Sequence, residues 1–375
     1  MHNKTVLILF LSNFYYDSRA SNLYKSFCER GYKVKVVSFD WMTNEFKTKR
    51  GEISVYKLHK GFLSLTYYLK FIFILSSNLI RSNAAIIFAE DVYTLPFAVI
   101  FSKLKNKKVI YDSRELYGYL ASLRKRKIAQ AILSSIEKIF IRGAYKIITT
   151  GKLDSEHIEN KFNLKDTIVI RNLPFVADIS KPFNFREYLD INKNVKILLY
   201  QGVILHGRGL RPIFKALHKL NDCVLVVLGD GEYREFYQNL AKEEGFIDKV
   251  FFWGKVEQPR LLEYTAGADI GISIIENLSL SYYYALPNKM FEYIQAGIPV
   301  VSSSFPQMKE VIDKYKVGIY IDPENIEEII NVLNNLLNNN ELRENLKRNC
   351  IIAAKELNWD KEINKLFDLI SKDFK

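Results

Sequence analysis

Short apolar runs alternate with segments of helical spacing from one end of the chain to the other. Residues 6–12 have the unbroken apolar character of a buried strand. Residues 19–30 follow with apolar positions three and four apart, and Gly31 is a natural helix stop. Residues 34–39, 53–58, 85–89, 109–112 and 146–150 repeat the strand pattern, with helix-length stretches between them. The alternation lapses over 171–195, which holds Pro174 and Pro182 and no sustained period, and this reads as an interdomain connection. It then resumes, with strands predicted at 196–201, 223–228, 250–253, 270–274 and 299–302 and helices at 209–220 and 232–244. Asp322-Pro323 reads as an N-cap followed by the first helical residue, and the Asn-rich stretch 331–340 as helix with a short break. Strand–helix alternation of this kind builds parallel sheets from βαβ units. The expected fold class is therefore α/β, as two Rossmann-like domains with mainly parallel sheets. The first spans 1–180 and the second 181–356, with a helix in 357–375 packing across the junction.

One segment departs from the simple pattern. Residues 62–80 hold 13 apolar or aromatic residues among 19. Thr66, Lys70, Ser77 and Arg81 fall on one narrow stripe of a helix, which describes an amphipathic helix with a broad apolar face. Packing on the first sheet and partial insertion in a membrane interface both fit that face, and a spanning helix fits poorly.

Composition narrows the class. The chain has 375 residues, 48% hydrophobic and 26% charged, which excludes a disordered chain, a collagen and a coiled coil. Cys28, Cys223 and Cys350 are scattered and odd in number, so neither a disulfide framework nor a zinc spacing is present, and a reducing compartment fits. The start of the chain reads as a first strand and not as a signal peptide. Charge is uneven. Residues 1–180 carry 29 Lys/Arg against 15 Asp/Glu, whereas residues 181–375 carry 25 against 27. A basic half attracts anionic lipid, nucleic acid or phosphorylated substrates. No nucleic-acid-binding motif appears, so a nucleic-acid partner is not expected. The run Arg124-Lys125-Arg126-Lys127, read as part of a helix, adds to the lipid reading.

In doubly wound sheets, ligands bind beyond the carboxyl ends of the strands. In the amino half that places residues 12–19, 90–91 and 112–115 at the site, with Arg19, Asp91 and Glu115 as candidates. In the carboxyl half, the loop from Gln201 and Gly202 to Gly209 leads into a helix. Its glycines let backbone amides approach an anion, and Arg208 supplies a planar fork for phosphate oxygens. A second loop runs through Pro287, Asn288 and Lys289 to Glu292. A lysine in a first helical turn makes sense if an anion lies between it and the helix start. Glu292, three residues on, can accept both hydroxyls of a ribose. Each loop alone is equally a Gly-rich turn or a glutamate serving its own helix.

Together these segments resemble a retaining, nucleotide-sugar-dependent glycosyltransferase of family 4. The quoted stretches are PNKMFEYIQAGIPVV (287–301), LLYQGVILHGRGL (198–210), LGDGEYREFYQNLAKEEGFIDKVFFWGKV (228–256), AEDVYTLPFA (89–98) and VIYDSRELYGYL (109–120). The resemblance implies the GT-B fold, two domains facing a central cleft. It implies that Glu292 binds ribose, that Arg208 and Lys289 neutralise a diphosphate with Asn288 and Gly202 beside it, and that Val256 lies in a loop near the base. It places Arg114 where many relatives carry a histidine beside the reacting sugar, so Arg114 and Arg208 are the catalytic candidates. Asp91, Glu115 and Arg19 fall on the acceptor side. Tyr284 replaces a second glutamate that many relatives carry, a role that backbone amides or Glu276 would then take.

The expected function is transfer of a sugar from a UDP- or GDP-linked donor to a hydroxyl of a glycan or lipid-linked acceptor, in capsule, lipopolysaccharide or exopolysaccharide biosynthesis. No cofactor is expected. No DxD-like pair sits in the donor loops, so a metal-independent reaction is expected too. The expected location is the cytoplasm, peripheral on the inner face of the membrane through an anionic surface. A non-catalytic nucleotide-sugar-binding relative and a sugar-nucleotide epimerase are the alternatives.

Overall fold

The computed structural model describes residues 4–40, 49–58 and 64–373. Phe62 and Leu63 of the apolar segment, His59 and Phe374 lie outside them. Two compact units emerge, Met1–Asn172 with Ile363–Lys375, and Leu173–Glu362. The division therefore falls after residue 172, not after 180, and the last segment returns to the first unit. Hydrogen bonds account for the shift. The Trp359 amide donates to the Pro174 carbonyl (2.8 Å), and the Val176 amide to Asp360 Oδ2 (3.1 Å), so the connecting segment is stitched into the second unit.

The first unit is built on β1 (Thr5–Leu9), β2 (Lys33–Asp40), β3 (Lys49–Arg50), β4 (Ile53–Lys57), β5 (Ile86–Ala89), β6 (Lys108–Ser113), β7 (Lys146–Thr149) and β8 (Ile168–Val169). Their order across the sheet is β3-β4-β2-β1-β5-β6-β7-β8, parallel apart from the short β3–β4 pair. The chain first moves outward from β1 to β2 and then returns to the other flank at β5. The strand order thus reverses between β1 and β5. Three helices, Ser64–Arg81, Leu95–Lys105 and Lys127–Phe140, connect β4, β5, β6 and β7 in turn. Right-handed crossovers advancing in one direction place all three on one face of the sheet. The basic run is not wholly helical, because Arg124 to Arg126 precede the helix that starts at Lys127.

The second unit carries β9 (Lys196–Gln201), β10 (Cys223–Leu228), β11 (Val250–Gly254), β12 (Ile270–Ser273), β13 (Val300–Ser303) and β14 (Gly318–Ile321). All pairs are parallel, in the order β11-β10-β9-β12-β13-β14, so the reversal lies between β9 and β12. β10 is buried at every residue, as a central parallel strand covered on both faces must be. The predicted cap at Asp322-Pro323 moves three residues on. Asn325 caps the helix Ile326–Asn338 by accepting from the Glu328 amide (3.1 Å), and the Glu328 carboxylate accepts from the Asp322 amide (3.1 Å). Asn325 and Glu328, three apart, make a stronger start signal than the proline. The Asn-rich stretch is helix with a break at Asn339, which caps the next helix, Asn340–Ala354.

Candidate functional site

In the second unit the carboxyl ends of β9 and β12 meet at the order reversal. β9 ends in Gln201, and the loop that follows is packed through bare backbone. A Cβ on Gly229, at φ +143°, would meet the Gly202 carbonyl oxygen at 1.9 Å, and one on Gly209, at φ +88°, would meet the Ile274 carbonyl oxygen at 2.3 Å. Only glycine permits this approach, which draws the loops after β9, β10 and β12 into one layer. Arg208 stands in that layer. Its guanidinium lies 4.6 Å from the centre of the Tyr282 ring, and its Nε donates to the Tyr282 hydroxyl (3.1 Å).

The helix Asn288–Gln295 starts beside it, after Pro287. Tyr293 pins this helix to the sheet. Its hydroxyl accepts from the Gln201 amide (3.0 Å) and faces the carbonyls of Leu199 and Ile272. Lys289, in the first turn, is buried, and its Nζ sits 4.0 Å above the Tyr200 ring without a hydrogen-bond partner. Burial, and then the neighbouring Arg208 charge, push its ammonium down to about 7, while Glu292 pulls the other way. Glu292 is half-buried and accepts from Gln201 Nε2, whose own carbonyl accepts from Thr265 Oγ1 (2.8 Å). Burial pushes the Glu292 carboxyl up to about 7, against the Gln201 bond and the Lys289 charge.

Arg208, Lys289 and Glu292 therefore share one electrostatic neighbourhood. Two cations next to an uncapped helix start are suited to a dianionic group. A carboxylate one turn on is suited to hydroxyls. Asn288 is exposed at the helix start, Gly202 is exposed at the end of β9, and Val256 is half-exposed just beyond β11, two strands from β9. Glu276 follows β12, with its amide on the Gly207 carbonyl (2.9 Å) and its Oε1 buried without a partner. Tyr284 is half-exposed, and its carbonyl accepts from Gln307. A wide groove of about 1110 Å³ opens elsewhere in this unit, along β11 and the helix Arg234–Glu243, and none of the three residues lines it. Tyr200 and Tyr282 carried no signal in the sequence, and Gln201 was named there only as the start of its loop. Gln201 had a signal, as the one polar residue closing an apolar strand at the reversal.

The first unit presents a second cluster at the ends of β5 and β6. Arg114 donates to Asp17 Oδ2 (2.6 Å) and to Glu90 Oε2. Glu90 is wholly buried. Its Oε1 and the Arg114 Nε are both buried without partners. Burial pushes the Glu90 carboxyl up to about 8, with Arg114 opposing the rise. Arg114 stays charged, since the carboxylates of Asp17 and Glu90 outweigh its desolvation. The other residues of this half sit differently. Arg19 is buried, with Nε and Nη2 on Asp112 (2.5 and 2.9 Å) and Nη1 on the Ile170 carbonyl (2.8 Å). Asp91 is buried too and accepts from the amides of Leu11 (2.5 Å) and Thr94 (2.8 Å), fixing the entry to the helix Leu95–Lys105. Only Glu115 of the acceptor-side trio is exposed. No group of three metal-ligating side chains occurs among the described residues.

Residues 183–352 match the family model for glycosyl transferases group 1. An uncharacterized glycosyltransferase of Methanocaldococcus jannaschii is 26% identical over 227 residues, an alignment that spans 57% of this chain and 57% of that relative. Among solved structures, sucrose-phosphate synthase from Thermosynechococcus elongatus superposes with a TM-score of 0.79 at 15% identity, covering 99% of each chain. Anabaena HepE in complex with UDP and glucose superposes with a TM-score of 0.73 at 15% identity, covering 98% of this chain and 99% of its own. The match to glycosyl transferases group 1 thus falls within the carboxyl-terminal unit, and across its length the chain has the GT-B fold.

Proposed function

We propose that the chain transfers a sugar from a UDP- or GDP-linked donor to a hydroxyl of a glycan or lipid-linked acceptor, without a metal and with retention at the anomeric carbon. The observation that carries the donor half is Lys289: a buried ammonium with no hydrogen-bond partner, beside Arg208 and the start of Asn288–Gln295. A diphosphate supplies the missing partner, and Glu292 then takes the ribose hydroxyls. That a structural neighbour was solved in complex with UDP and glucose supports this reading.

In the reaction, the bond from the sugar C1 to the diphosphate oxygen breaks while a bond forms from C1 to the acceptor oxygen. The electron pair leaves with the diphosphate, and the hydroxyl proton passes to the departing phosphate oxygen. Arg208 and Lys289 meet the growing negative charge on that group, the role a cation performs in other phosphate chemistry. The enzyme would work in polysaccharide or lipopolysaccharide assembly, in the cytoplasm against the inner membrane face.

Thermal shift across UDP, GDP and their sugars tests the assignment. One nucleotide should stabilise the protein, and Glu292→Ala should abolish most of that response. Arg208→Ala should weaken the diphosphate response much more than the nucleoside response. Unchanged responses in both variants would move the site elsewhere. Turnover that survives EDTA supports the metal-free step, and its loss removes that part.

A further inference from the structure

Three neighbouring helices of the first unit turn apolar side chains to water. Ser64–Arg81 buries Tyr67, Phe71, Leu75 and Leu79 at four-residue intervals. Beside that stripe the helix carries Leu65, Tyr68, Leu69, Ile72 and Phe73, all exposed, with Phe73 at 74%. Leu95–Lys105 packs against this helix and against Lys127–Phe140. It adds exposed Leu104 at 75%, and Lys127–Phe140 adds Ile128 at 79%, with Ile132 and Ile139 along the same helix. Large apolar side chains exposed on neighbouring helices mark a candidate binding face.

The charges around it have one sign. Lys70, Lys103 and the run from Arg124 to Lys127 are all exposed, while Lys105 is spent on the carbonyls that end Ser64–Arg81. The single carboxylate on these three helices, Glu137, is buried and accepts from the Tyr111 hydroxyl (2.7 Å). None of the described helices is long and apolar enough to cross a membrane.

We propose that these three helices form a docking face for an anionic lipid bilayer. Apolar side chains sink to the level of the acyl boundary, and the lysines and arginines reach the headgroups. Charge selects this occupant over a second copy of the chain, which would bring two cationic rims together. The face gives the lipid-linked acceptor of the proposed function a place to be met, and to that extent it rests on that reading.

The test is flotation of the full chain with phosphatidylcholine vesicles, with and without about 30 mol % phosphatidylglycerol. The protein should float with the anionic vesicles only, and rising salt should weaken the binding. Phe73→Glu, and separately Leu104→Glu, should each lower vesicle binding by about tenfold or more. Both positions are exposed, so circular dichroism and the thermal response to UDP should stay as in the parent. A parent that responds to neither UDP nor GDP would sink the donor reading without touching this one. Equal flotation with both vesicle types, no flotation at all, or binding unchanged in both variants overturns the docking face. So does a self-associated parent whose assembly the two variants break, since a second copy would then cover the helices.

Discussion

Lys289 carries its charge to a place where no hydrogen bond in the described structure meets it. Its proton is held weakly, near pH 7, and Glu292 beside it titrates in the same range. A bound diphosphate favours the protonated lysine, so affinity for UDP should fall as pH rises above 7. Ribose hydroxyls favour the ionised glutamate, so affinity should fall below 7 as well. Calorimetry from about pH 5 to about pH 9 should show a maximum near neutrality. Glu292→Gln should remove the acid limb and Lys289→Met the alkaline one. Arg19 illustrates the opposite use of a buried cation. It is fully engaged with Asp112 and the Ile170 carbonyl, so Arg19→Met strands a buried carboxylate and should cost about 3–5 kcal/mol in denaturant unfolding. Converting Asp112→Leu as well should restore much of the loss. Arg208, Lys289 and Glu292 were legible because charged residues just past a strand or at a helix start stand out from the apolar pattern. Gln201 obeys the same positional rule, yet it directly joins an apolar strand and reads as its end, and Glu90 was placed among the post-strand residues without being singled out from Asp91. That Arg19 would be drawn inward was not legible, since its partner Asp112 is 93 residues away.

The helix Asn288–Gln295 holds its site residues only because β12 leaves room for it. Gly271 lies under Tyr293, and a Cβ there would come within 2.4 Å of the ring. Gly271→Ala should displace Tyr293 from its bonds to β9, cost about 1–3 kcal/mol of stability, and sharply weaken nucleotide binding. Thermal melts with and without UDP measure both effects. Long apolar strands were readable because burial on both faces leaves an uninterrupted run. β3, β8 and β14 were not, being two to four residues long and at sheet edges, and in β8 and β14 partial exposure blurs the pattern as well. The start of Ile326–Asn338 was misplaced because a proline outweighed the Asn325 and Glu328 pair that makes the cap.

Over the whole molecule, the last segment completes the first unit. Phe367 packs on Phe27, with ring centres 5.0 Å apart, under the Arg30 guanidinium at 3.9 Å, and Ile363, Leu366 and Ile370 are buried. Truncation after Glu362 should speed hydrogen exchange in Ser18–Glu29 and β2 while leaving β9 to β14 unchanged. The helical spacing of this segment was readable, but the unit it joins was not, because Phe27 and Phe367 lie at opposite ends of the sequence.

The chain passes between the units twice, at 172–173 and again at 362–363. A single protease cut at either crossing leaves them covalently joined, and only a double cut frees the second. Limited digestion should therefore yield a nicked species of undiminished mass under native conditions. Any rotation of one unit against the other must twist a pair of tethers in concert.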